Sequence, residues 1–159
     1  MSFQKSKNIG DIAEDTILQF LLSRGISCRK TDGRKHDIII VFDSRDICAE
    51  IKFDKMSDKT KNIALEYYNS KSKKDSGFAS SNAELWFHVT NINNAIWLTS
   101  PNKIKEFTKS NKPKRTVLQG GDGNADILLY PIDSLSLFAV NIYNMNKKEL
   151  EKCLTYTLK

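Results

Sequence analysis

The chain contains no apolar run approaching the roughly 18 residues of a membrane-spanning helix. Its first residues, MSFQKSKN, hold no hydrophobic signal segment. Cysteine is scarce: Cys28, Cys48 and Cys153 are odd in number, scattered and without CxxC spacing. That usage argues against a disulfide scaffold, a structural zinc site and secretion. His36 and His88 each stand alone, so neither reads as a metal ligand, and His88 reads as an ordinary strand residue. No internal repeat, long low-complexity tract or linker interrupts the 159 residues. Residues 1–159 therefore read as a single domain of about the usual 150 residues, expected to be intracellular and to have no membrane partner. What the chain has in surplus is positive charge, with 25 basic against 19 acidic residues and a formal net charge of +6. Such a balance favours polyanions, nucleic acid first, although a solvated basic surface accounts for it equally well.

Asn8, with Asp11 three positions on, has the form of a helix cap, and Ile17, Leu18, Leu21 and Leu22 follow at helical spacing before Gly25 supplies a stop. The pattern predicts an amphipathic helix from about Asn8 to Arg24. Two β-branched stretches, 37–42 and 47–53, flank the turn formers Asp43-Ser-Arg-Asp46 and predict a β-hairpin. Residues 62–68 and 84–89 read as further strands, the second pairing with 95–99. Ser100-Pro101 opens a helix with Ile104 and Phe107 on its apolar side and an end near Ser110. Strands at 116–119 and 126–130 flank the glycine-rich segment 120–123, which lacks the Lys-Ser/Thr of a phosphate-binding loop and reads as a turn. Asn146 and Glu149 form a capping box for a terminal helix with Leu150, Cys153 and Leu154 inward. Trp86, Phe87 and Trp97 read as core. This order of elements fits an α/β or α+β domain built on a mixed sheet.

Three acidic residues do not follow burial logic. Residues two apart on a strand face the same way, so Glu50 and Lys52 share one side. A tight turn at Ser44–Arg45 sets Asp37 opposite Ile51 or Lys52, from where Asp37 and Glu50 can converge on one cation. Both lie in or beside runs of Ile, Val, Ala and Phe. Two carboxylates about 4 Å apart repel by roughly 4 kcal/mol at an effective dielectric near 20. A hard divalent ion removes that cost, and magnesium suits carboxylates that leave several waters in place. Glu14 precedes Ile17, Leu18 and Leu21 on the first helix, on or beside the face that packs against the sheet, and can join from above. A Glu-x-Lys pair alone is commonly a surface salt bridge; Asp37, Glu14 and the basic charge turn the reading toward a site.

Gly10-Asp-Ile-Ala-Glu14 on a helix, Asp37 on one strand and Glu50-Ile-Lys52 on the next resemble the PD-(D/E)xK nuclease superfamily over roughly residues 8–90. The likeness is to archaeal Holliday-junction resolvases and small phage or homing endonucleases; His36 stands where the motif has proline. The resemblance implies a restriction-endonuclease-like mixed sheet flanked by helices. It implies Asp37 and Glu50 as ligands of Mg²⁺ (or Mn²⁺), the Ile51 backbone carbonyl as a further ligand, and Glu14 acting through water or a second metal. Lys52 would orient or deprotonate the attacking water and stabilise the phosphate. The implied activity is metal-dependent hydrolysis of DNA phosphodiesters, structure-selective as in a junction resolvase. The alternatives are a site-specific homing or restriction-type endonuclease and, from another class, a non-catalytic nucleic-acid-binding module. Cutting both strands symmetrically needs two sites, so a homodimer is expected.

Arg29, Lys30, Arg34 and Lys35 precede Asp37, and Lys55 follows Lys52, so these five can grip phosphates beside the cut. The lysines at 71–74 and 103–114 read singly as solvated faces whose summed field favours DNA. Glu66, on one strand face with Ala64 and Tyr68, reads as structural or exposed, with an accessory acidic role as the alternative.

Overall fold

The structure, a computed structural model, describes residues 3–32, 35–91, 94–120 and 123–159, with side chains from Ile9 onward. Along the chain lie α1 (Phe3–Ser23), β1 (Cys28–Lys30), β2 (Ile38–Phe42), β3 (Arg45–Phe53), the single turn α2 (Ser57–Thr60), β4 (Asn62–Asn69) and β5 (Lys74–Asp75). After a 3-10 turn at Gly77–Ala79 follow β6 (Leu85–Asn91), β7 (Ala95–Thr99), α3 (Pro101–Ser110), β8 (Arg115–Gly120) and β9 (Ala125–Pro131). A second 3-10 turn at Ile132–Leu137, β10 (Val140–Asn141) and α4 (Lys147–Thr157) complete it. No described helix is long and apolar enough to cross a membrane.

The fold is mixed α+β, with a mixed sheet flanked by helices, as the pattern of elements predicts. The strands divide between two sheets rather than one: six in the order β1-β2-β3-β6-β7-β10 and four in the order β5-β4-β9-β8. Only the β3–β6 contact is parallel among the described pairings. On one face of the larger sheet, Ile17 and Leu21 of α1 and Leu150 and Leu154 of α4 pack with Ile38, Ile40, Ile47, Ala49, Leu85 and Phe87. On the other, Trp86 packs with Ile63 and Leu65 of β4, Tyr130 of β9, and Ile104 and Phe107 of α3. Thus β6 supplies alternate residues to two cores, which is why 85–90 is buried on both sides.

Two local expectations change. The helix begins at Phe3, not at Asn8, so Asn8 lies inside it and does not cap it. Gln4, Lys5 and Lys7 are adequate helix formers, and a cap-forming residue ends nothing when the next turn outward can also be helical. Leu22, at helical spacing, is largely exposed. The hairpin turn is Asp43-Ser44, with φ of 50° and 60°, so Phe42 pairs with Arg45 and Ile38 with Ala49. Such a two-residue turn with both central φ positive matches the twist of the flanking strands, and Asp tolerates the left-handed region. The register consequently sets Asp37 opposite Glu50, not opposite Ile51 or Lys52.

Other signals hold as read. Ser100 caps α3 by accepting the Lys103 N–H at 3.3 Å, with Pro101 in its first turn. Asn146 and Glu149 close both halves of their box, at 3.0 and 2.8 Å. Leu150, Cys153 and Leu154 face inward. Gly123 donates to the Gly120 carbonyl at 3.0 Å, while Gly121 and Asp122 lie outside the described residues.

Candidate active site

The site forms where β2 stops and β3 continues. The Cys48 carbonyl accepts from Glu84 and the Asp54 N–H donates to the Val89 carbonyl, so even-numbered residues of this strand direct their main chain toward β6. The Ala49 carbonyl accepts from the Asp37 N–H, so odd-numbered residues direct theirs toward β2. At Ile51 the β2 partner has ended. Its N–H donates instead to Oδ2 of Asp37, at 2.6 Å, and its carbonyl faces the same open side. The side chain of Asp37 therefore replaces a missing strand partner, which fixes one of its carboxylate oxygens.

Side chains on β3 alternate accordingly. Ile47 and Ala49 are buried under the helices, while Glu50 and Lys52 face away. In register beside them on β6 stand Trp86 and His88. Asp37, Glu50, Ile51 and Lys52 line a cavity of about 730 Å³ together with Lys35, His36, Trp86 and the segment Ser80–Asn82.

Electrostatics mark Glu50. Burial and then the Asp37 carboxylate push its carboxyl up to about 7, and the two side chains share a hydrogen bond that keeps a proton on Glu50. Glu14 adds to the repulsion and Lys52 opposes it. Burial, followed by the charge of Asp37, also raises Glu14, against the pull of Lys30. Two carboxylates are thus held together with too few protein cations between them. Among the described residues, no three His, Cys, Asp or Glu side chains come close enough to hold a metal ion by themselves. The oxygens gathered on this open side are the Asp37 and Glu50 carboxylates and the Ile51 carbonyl.

Of the residues singled out in the sequence, Asp37, Glu50, Ile51 and Lys52 come together. Glu14 is at the margin, 3.7 Å from Lys30 Nζ. Lys30 itself pairs more closely with Asp15 of α1, at 2.7 Å, on the helix side of the sheet, and Arg29 pairs with Asp46 on the side that Glu50 also faces. Lys35 is exposed at the cavity rim, Lys55 is exposed in the turn after β3, and Arg34 lies outside the described residues.

Glu66 was less legible. It comes from β4, in the other sheet, and its Oε2 lies 3.9 Å from Lys52 Nζ. The inward alternation of Ile63 and Leu65 sets Ala64 and Glu66 on the other side of β4, but nothing local indicates that this side meets Lys52. His88 and the indoles follow the sequence reading: His88 is a buried strand residue, and Trp86 and Phe87 are core. Trp97 is only partly buried, packed against the second core.

Among solved structures the fold is similar to that of a bacterial homing endonuclease, I-Ssp6803I, with a TM-score of 0.50 and 16% identity over 60% of this chain and 69% of that one. No family model matches the sequence, and no curated protein matches it.

Proposed function

We propose that the protein is a metal-dependent DNA endonuclease. The observation that carries the reading is the convergence of Asp37 and Glu50 beside the unpaired side of Ile51, with Lys52 two residues on. In this reading Asp37, Glu50 and the Ile51 carbonyl hold Mg²⁺, for which Mn²⁺ can substitute, and Glu14 acts through a water or a second ion. The ion supplies a lowered pKa for its water and charge relief at a non-bridging phosphate oxygen. Lys52 orients the attacking water and stabilises charge gathering on the phosphate. Water oxygen bonds to phosphorus, one P–O bond of the backbone breaks, and the leaving oxygen takes up a proton. Lys35, exposed at the cavity rim, is the cation best placed to contact a flanking phosphate; Lys55 is exposed in the turn after β3, and Arg29 and Lys30 are paired with Asp46 and Asp15.

The substrate proposed is branched DNA bound by shape, cut by a homodimer whose two sites act on opposite strands. A second reading, recognition of a duplex sequence, is favoured by the fold shared with a homing endonuclease. The test is incubation of wild type and Glu50→Ala with a four-way junction, its linear arms and supercoiled plasmid, in Mg²⁺ or EDTA. Cutting of the junction but not the arms, lost in EDTA and in the variant, is the expected result. Cutting of one linear site alone would select the second reading. EDTA-resistant cutting, or full activity of Glu50→Ala, would overturn the mechanism. If wild type binds nucleic acid and cuts none, the protein is a binding module.

A further inference from the structure

Three local features around β4 converge on one residue, Glu66. The β4–β9 register shifts between Glu66 and Tyr68, a bulge of the kind that re-aims a side chain. Ser76 Oγ donates to Glu66 Oε1 at 2.8 Å, and the Ser76 N–H closes the same loop onto the Tyr67 carbonyl at 3.0 Å. Gly77, at φ +52°, lies so close that an added Cβ would meet the Glu66 carbonyl oxygen at 2.2 Å. Only glycine permits both that conformation and that approach. A glutamate serving merely as solvated surface needs none of these.

The side chain so held faces Lys52, 3.9 Å from its ammonium. Lys52 has a second possible partner, because Glu50 stands two residues away on the same face of β3. An ammonium resting on Glu50 would neutralise it and compete with any divalent ion for its oxygens. The Lys52–Glu66 pair is half exposed and as a surface ion pair contributes little stability. Its consequence is where it leaves the lysine.

We propose that Glu66, oriented by Ser76, is a positioning residue that draws Lys52 away from Glu50, leaving Asp37 and Glu50 open to a shared divalent cation. The inference rests on the metal-dependent reading above and extends it to a residue from the other sheet.

The test is Mn²⁺ binding by calorimetry at pH 7.5, without DNA, for wild type, Asp37→Ala, Glu66→Gln, Ser76→Ala, Lys52→Met and the Glu66→Gln/Lys52→Met double variant. Glutamine keeps an acceptor for Ser76 and removes the charge. Glu66→Gln is expected to bind Mn²⁺ roughly three- to tenfold more weakly, within the range of coupling between contacting residues. Ser76→Ala should show a smaller loss. In the Lys52→Met background, Glu66→Gln should change nothing, because no ammonium remains to fall onto Glu50. Plasmid cleavage by Glu66→Gln should fall in kcat with the KM for DNA unchanged. Unaltered Mn²⁺ affinity in Glu66→Gln, or an equal loss with and without Lys52, overturns the positioning role and leaves the nuclease reading intact. Mn²⁺ binding that is absent in wild type, or unaffected by Asp37→Ala, removes the metal reading and this inference with it.

Discussion

Glu50 and Asp54 project from the same side of one chain segment, and their surroundings differ in kind. Asp54 is buried and accepts the Ala64 N–H at 2.7 Å, with His88 Nε2 at 3.5 Å from the same oxygen. Its own carbonyl accepts the Ser57 hydroxyl, which also reaches the Thr90 carbonyl. Through its carboxylate and its carbonyl Asp54 ties the end of β3 to β4 and α2, and the protein itself supplies a donor to each. Glu50 is met by a second carboxylate that Lys52 offsets only in part, and a proton or a cation from outside relieves the rest. A buried acid met by a backbone donor builds the fold; one opposed by another acid is available for chemistry.

That contrast can be broken most sharply by activity. Asp37→Ala and Glu50→Ala should each lower plasmid or junction cleavage on the order of 10³-fold, corresponding to several kcal/mol of lost charge stabilisation. Asp54→Asn, which keeps an acceptor, should cleave within a few-fold of wild type. Next in size is metal protection: Mg²⁺ at a hundred times its Kd should stabilise the native protein by about 2.7 kcal/mol in urea unfolding. It should do nothing for Asp37→Ala.

Stability probes the other carboxylate. Asp54→Ala strands the partly buried Ala64 N–H and should lower unfolding free energy by roughly 1–3 kcal/mol, with Asp54→Asn recovering part of it. A smaller effect comes from pH. Because the folded protein holds the Glu50 proton up to about 7 while the unfolded chain releases it near 4.5, metal-free stability should fall as pH rises between those values. Thermal melts of Glu50→Gln should lack that component of the slope; an identical slope in both proteins would show that Glu50 ionises unhindered. The least effect is remote from both carboxylates: Asn146→Ala should cost about 1 kcal/mol through the lost cap of α4.

Much of the frame was legible in the chain. The Ser100-Pro101 start, the Asn146–Glu149 box and the apolar spacing of Leu150, Cys153 and Leu154 are local signals, each decided by the hydrogen-bonding needs of one helix end or one face. The alternation that turns Glu50 and Lys52 away from Ile47 and Ala49 is equally local. The register was not, since Asp43-Ser44 and Ser44-Arg45 are both acceptable turns by composition, and the choice between them moves Asp37 from opposite Lys52 to opposite Glu50. The helix start was missed because Asn8 has a cap's chemistry without a cap's position.

By itself, the sequence determined which residues must be helix or strand and which face of each is apolar, because those properties repeat over a few neighbours. It also put an acid and a lysine on the polar side of a strand otherwise built for a core. Only the tertiary structure decided that β2 ends where β3 goes on, so that Asp37 takes over the Ile51 N–H, and that β4 crosses from another sheet to bring Glu66 to Lys52. Contacts between segments far apart in the chain depend on how whole sheets meet, and no periodicity within either segment encodes that.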